Sequence, residues 1–128
     1  MTDNHEPTNS GFPLRRPRRL RTTPIMRDMV AETHVAPADL IYPLFIADGI
    51  TACREISSMP GQYQHTIHTL KTIVEQSIDA GIRCIDLFGV PLDSDKDACG
   101  SQAWNETGIL NTAIAELRQE FGNDIVIM

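Results

Sequence analysis

The sequence predicts a parallel α/β fold, and three observations carry that prediction. The run Gly81 to Pro91 (GIRCIDLFGVP) has apolar side chains at Ile82, Cys84, Ile85, Leu87, Phe88 and Val90, so both faces of its pleat are apolar. A strand of that kind is covered by helices on both sides or closed into a barrel. Segments with helical period flank it, and beyond them lie two more apolar runs, Leu40–Ala47 and Asp124–Met128. Strand, helix, strand, helix, strand is the order of a parallel sheet with crossover helices.

A chain of 128 residues with 41% hydrophobic and 22% charged residues has the size and balance of one globular domain. No apolar run reaches the ~20 residues of a membrane helix, and residues 1–20 lack a secretory core, so a cytoplasmic protein is expected. Cys53, Cys84 and Cys99 are odd in number and widely spaced, which fits reduced thiols better than disulfides or a closed zinc site. The net charge of −6 is uneven: residues 1–34 hold six arginines against four acids, and residues 35–128 hold five basic residues against thirteen acids. A basic arm on an acidic body favours self-association over nucleic acid.

Taken in order, residues 1–38 read as an N-terminal arm, with 1–14 expected to be disordered. Arg15 to Arg21 places five arginines in seven residues, a solvated charge run unless a partner meets it. Thr23-Pro24 is a helix start, and Ile25, Met29 and Val30 make a narrow apolar stripe on a short helix over about 24–32. Residues 39–128 then supply three strands and two helices. Leu40–Ala47 is the first strand, with Pro43 inside it wherever a ladder bond is not needed. Residues 50–65 look irregular, and a loop of that length is often functional. The first helix spans about Thr66 to Ala80, with Ile67, Leu70, Val74 and Ile78 at helical spacing and Gly81 just past its end. A polar loop over Leu92–Asn105 precedes a second helix from about Glu106 to Phe121, which buries Ile109, Leu110, Ala113, Ile114, Leu117 and Phe121. The chain stops inside its third strand, which leads us to expect a piece of a longer protein.

This pattern matches the opening third of a (β/α)8 barrel, in which function gathers at the C-terminal ends of the strands. The candidate chemistry there is sparse. Asp93, Asp95 and Asp97 alternate as metal-binding acids do, yet the offsets of a calcium loop are missing and a solvated loop is favoured. Lys96 stands between two of those acids, which hold its proton on, so it makes a poor amine nucleophile. His65 and His68 have a spacing compatible with a shared metal, but no third ligand is near. Asp86, mid-strand among apolar residues, either faces a barrel interior or belongs to an ion pair. No phosphate loop, nucleophile elbow or CxxC is present.

Several segments together resemble the porphobilinogen synthase (5-aminolevulinate dehydratase) family in its bacterial form. They are RPRRLR (Arg16–Arg21), DLIYPLF (Asp39–Phe45), ISSMPG (Ile56–Gly61), AGIRCIDLFGVP (Ala80–Pro91) and KDACGSQAWNETGIL (Lys96–Leu110). The resemblance implies a TIM barrel behind an N-terminal arm that wraps a neighbouring subunit in a homo-octamer. It implies a lyase of tetrapyrrole and heme biosynthesis that condenses two 5-aminolevulinate molecules to porphobilinogen through Schiff-base lysines. It also implies a zinc or magnesium ion in the full-length enzyme. Both Schiff-base lysines and the metal segment are expected beyond Met128, since Lys71, Lys96 and the three cysteines do not match the family's motifs. No catalytic residue and no metal ligand is therefore assigned here. One substrate-binding position carries over, Phe88 as a pocket wall, with barrel core as the alternative on residue type. A different class of reading is a non-catalytic piece that docks on another chain through its arm and open sheet edge.

Overall fold

The computed structural model describes residues 18–128. The expectations for residues 1–14 and for Arg15 and Arg16 lie outside them. Backbone contacts divide the chain into two units, residues 1–34 and 35–128. In the first, Arg19–Arg21 forms a single 3-10 turn and helix α1 spans Pro24–Met29. Thr23 caps α1: its Oγ1 accepts from the Met26 N–H at 3.1 Å, and Pro24 fills the first turn, where no N–H is needed.

The second unit is a five-stranded mixed sheet with helices packed on one face. Strands β1 (Ile41–Ala47), β2 (Arg54–Glu55), β3 (Tyr63–His65), β4 (Cys84–Val90) and β5 (Val126–Ile127) lie in the order β2-β3-β1-β4-β5. The three strands read from the sequence are all there, parallel and adjacent. β1 pairs with β4 over its whole length, from Ile41 opposite Cys84 to Ala47 opposite Val90, and β4 pairs with β5. On β1's other side β3 pairs only at Phe45 and Ile46. Pro43, with no N–H to give, lies where β3 does not reach.

Residues 50–65 depart from the irregular loop expected of them. β2 and β3 form a small antiparallel hairpin at the sheet edge, tied by the Ile56 N–H to the Gln62 carbonyl at 2.9 Å and by Arg54 Nη2 to Gln64 Oε1 at 2.6 Å. The strands are polar and two or three residues long, which hides them from any test of periodicity.

Helices α2 (Ile67–Asp79) and α3 (Ile109–Phe121) cover one face of the sheet. Thr66 caps α2 through the Thr69 N–H at 3.2 Å, and Gly81, at φ +86°, takes the left-handed turn that releases the chain into β4. Alternate strand residues Leu44, Ile46, Ile85 and Leu87 meet Leu70, Val74, Ala113 and Leu117 in the core, with Ile125 beside them. Their neighbours on the strands point the other way. Ile41, Phe88, Val126 and Met128 on that second face are exposed, and among the described residues no helix is long and apolar enough to cross a membrane.

Candidate functional site

The C-terminal ends of β1 and β4 meet the loop Leu92–Gly108, and this corner carries most of the chemistry. Phe45 and Phe88 are register partners on the open face, their rings stacked at 5.3 Å between centroids and 24° from parallel. Phe45 is half-buried, whereas Phe88 keeps 44% of its surface exposed. Asp86, two residues before Phe88 on the same face, is half-buried and has no ion pair among the described residues. Its place on the open face agrees with the reading of a polar residue turned toward a barrel interior.

The polar loop is held by its own side chains. Asp97 Oδ1 accepts from the N–H groups of Cys99 and Ser101, each at 3.0 Å, and its Oδ2 accepts from Ser101 Oγ at 2.5 Å. Those bonds, the Ser101 hydroxyl first among them, hold the Asp97 carboxyl below its ordinary range. Asp93 takes Lys96 Nζ at 2.6 Å, and Asp95 takes the Ser94 hydroxyl at 3.0 Å. The three acids therefore face three separate partners. Asn111 of α3 donates to the carbonyls of Ala103 and Asn105 at 3.3 and 2.8 Å, which ties loop to helix. A cleft of ≈ 230 Å3 opens between them, walled by Gly89 and Pro91, Asp95 to Asp97, and Ile109 and Leu110.

Neither lysine is set up for amine chemistry. A nucleophilic amine must lose its proton near neutral pH. Lys96 is half exposed and paired with Asp93. Lys71 bridges α2 to α3 through Glu116 at 2.8 Å and Glu120 at 3.4 Å, and the Glu116 hydrogen bond pushes its ammonium above its ordinary value.

His65 and His68 lie by a second cleft, with Cys53, and do not converge on a shared metal position with a third ligand. Among the described residues, no three His, Cys, Asp or Glu side chains do. His65 is 9% exposed, and its Nδ1 has no hydrogen-bond partner. Burial lowers its pKa, because an imidazolium there loses hydration without gaining a counter-charge. A lowered histidine pKa means that the unfolded chain takes up the proton first. Stability is then full above the unfolded pKa and falls as pH drops through it toward the folded one. Urea midpoints at about pH 7.5 and about pH 5.5 should differ less in His65→Phe than in the parent; an identical difference would assign the slope to other groups.

Sequence reasoning placed both Phe45 and Phe88 at strand ends but assigned a role to Phe88 alone, without pairing the two. The signal was present as a repeat: Leu44-Phe45 and Leu87-Phe88 each stand two residues before a strand end, and parallel register puts equal positions side by side.

A family model described as "Delta-aminolevulinic acid dehydratase" matches residues 14–128. The chain belongs to the delta-aminolevulinic acid dehydratase family. Curated relatives of that name include those of Mycobacterium leprae, 49% identical over 119 residues, and of Streptomyces coelicolor, 47% identical over 121 residues. The matches take in 93% and 94% of this chain but 36% and 37% of those relatives, so the chain spans about a third of their length. Among solved structures it is similar to the delta-aminolevulinic acid dehydratase of Toxoplasma gondii ME49, solved in complex with porphobilinogen. The TM-score is 0.80 and the identity 35%, over 88% of this chain and 32% of that one. In this dehydratase family the α/β unit is a partial TIM (β/α)8 barrel, and the parallel trio β1, β4 and β5 is its run of consecutive strands.

Proposed function

We propose that this chain supplies the opening wall of a 5-aminolevulinate dehydratase barrel, the lyase that condenses two 5-aminolevulinate molecules to porphobilinogen on the way to heme. The observation that carries this reading is the match over residues 14–128, in a fold shared with a porphobilinogen complex. Within it, residues 39–128 form the barrel wall, and Phe88 is a wall of the substrate pocket at the end of β4. Residues 1–38 are the arm through which copies associate, as a homo-octamer, in the cytoplasm.

Schiff-base condensation needs a neutral, unpaired lysine amine, and the chain's two lysines, Lys71 and Lys96, are both paired with carboxylates. The described residues do not form a zinc or magnesium site either: the acids of the loop have other partners and no ligand trio converges. What this wall does is shape and exclude. It presents an aromatic pair and one carboxylate, Asp86, to the space at the centre of the barrel.

The chain alone should convert no 5-aminolevulinate to porphobilinogen, and borohydride should trap no adduct on it. Grafted in place of the matching 119-residue stretch of the Mycobacterium leprae relative, it should support porphobilinogen formation. Turnover by the chain alone, or a folded but inactive graft, would overturn the reading.

A further inference from the structure

Among the described residues the ring of Phe88 has one aromatic neighbour. Its cross-strand partner is Phe45, and the pairs before and after it on the same face are Pro43 with Asp86 and Ala47 with Val90, none of them aromatic. Leu44, Ile46 and Leu87 are turned into the helix-covered core. A phenylalanine with 44% of its surface exposed has freedom to change rotamer unless something flat lies against it, and Phe45 does so at 5.3 Å and 24°. Both strands are paired along their whole length, and Phe45 is half-buried where Phe88 is exposed, so Phe45 is the more fixed member of the pair.

We propose that Phe45 is a positioning residue: it holds the Phe88 ring as a flat shelf at the C-terminal end of the sheet, and the shelf's free side takes the planar pyrrole ring of porphobilinogen. This rests on the reading of Phe88 as a pocket wall. Offset stacking between π-faces favours a flat heteroaromatic ring over the flexible, non-aromatic 5-aminolevulinate. Phe45 touches no reacting atom; it acts by removing alternative orientations of its neighbour, which is affinity gained by preorganisation.

The test uses the whole chain, carbon-13 labelled, titrated with porphobilinogen while the phenylalanine ring resonances are followed. In the parent the Phe88 ring signals shift and saturate, and the pyrrole C–H proton moves upfield in the ring current. Phe45→Leu should weaken binding roughly threefold to tenfold, and Phe45→Tyr should restore it to within about twofold. Phe45→Met, which keeps bulk without a flat ring, should behave as Phe45→Leu does and replaces it if the core amides of Ile85 and Leu117 lose protection. Equal affinity in parent, Phe45→Leu and Phe45→Met, with Phe88 still shifting, would overturn the role of Phe45 and leave Phe88 as a pocket wall. Weakening by Phe45→Tyr as large as by Phe45→Leu would also overturn it, since stacking survives in tyrosine. No shift at Phe88 in the parent at saturating ligand would remove the pocket wall and the shelf together.

Discussion

Ile85→Ala should lower the unfolding free energy by roughly 2–5 kcal/mol, the range for emptying a fully enclosed aliphatic site. Ile85 has 0% of its surface exposed and stands in the middle strand of the parallel trio, where side chains from both helices meet. β4 gives it little room to relax. Its partners on both sides are fixed by ladder bonds, and the Ile85 carbonyl accepts from the Met128 N–H at 2.8 Å. A cavity at a site that does not collapse falls at the upper end of the range. Native domains are stable by only about 5–15 kcal/mol, so this one change removes a large share. Urea unfolding is the measurement, with the midpoint falling while the slope stays constant. Val126→Ala makes the internal contrast. Val126 sits on the neighbouring strand but faces the open side with 56% exposed, so its truncation should stay within about 0.5 kcal/mol. Equal losses at the two positions would mean that the two faces are not distinguished as described.

That contrast also shows which parts of the structure were legible in the sequence. The central run was read as apolar on both faces, and the structure buries Ile85 and Leu87 under helices while Cys84, Asp86 and Phe88 look the other way. Apolar residues on the second face are what a strand inside a barrel needs, so a one-dimensional pattern carried a three-dimensional fact. The hairpin of Arg54–Glu55 and Tyr63–His65 left no such trace, because its stability comes from cross-chain pairs such as Arg54 with Gln64. The start of α3 was placed near Glu106, three residues early. Asn105 Oδ1 takes the Thr107 N–H at 3.1 Å and its hydroxyl at 3.0 Å, a local turn that competes with helix, and the first helical residue is Ile109. The acidic triplet needed coordinates too. Only geometry could show that Asp97 is spent on Cys99 and Ser101 while Asp93 is spent on Lys96.

Gly89 sets a steric constraint on the site, and Gly89→Ala should cost roughly 1–3 kcal/mol, the range for overfilling a packed contact. A Cβ built there lies 2.7 Å from Leu110 Cβ and 3.5 Å from Leu110 Cα. Neither atom is the loose end of a side chain, so relief requires the first turn of α3 to move off β4. Replacing glycine within a strand recovers about 0.5–1 kcal/mol of backbone entropy, too little to offset the clash. The displacement does not stop at the helix. Asn111 lies one residue past Leu110 and holds the carbonyls of Ala103 and Asn105, so the loop is carried with α3 and the cleft beside Pro91 and Lys96 changes shape. Two readouts should therefore move together in Gly89→Ala: a lower urea midpoint, and faster hydrogen exchange at the Cys99 and Ser101 amides that Asp97 holds. A variant as stable as the parent would mean that α3 has slack at this contact. A destabilised variant whose loop amides exchange at the parent rate would mean that loop and helix are not mechanically joined through Asn111.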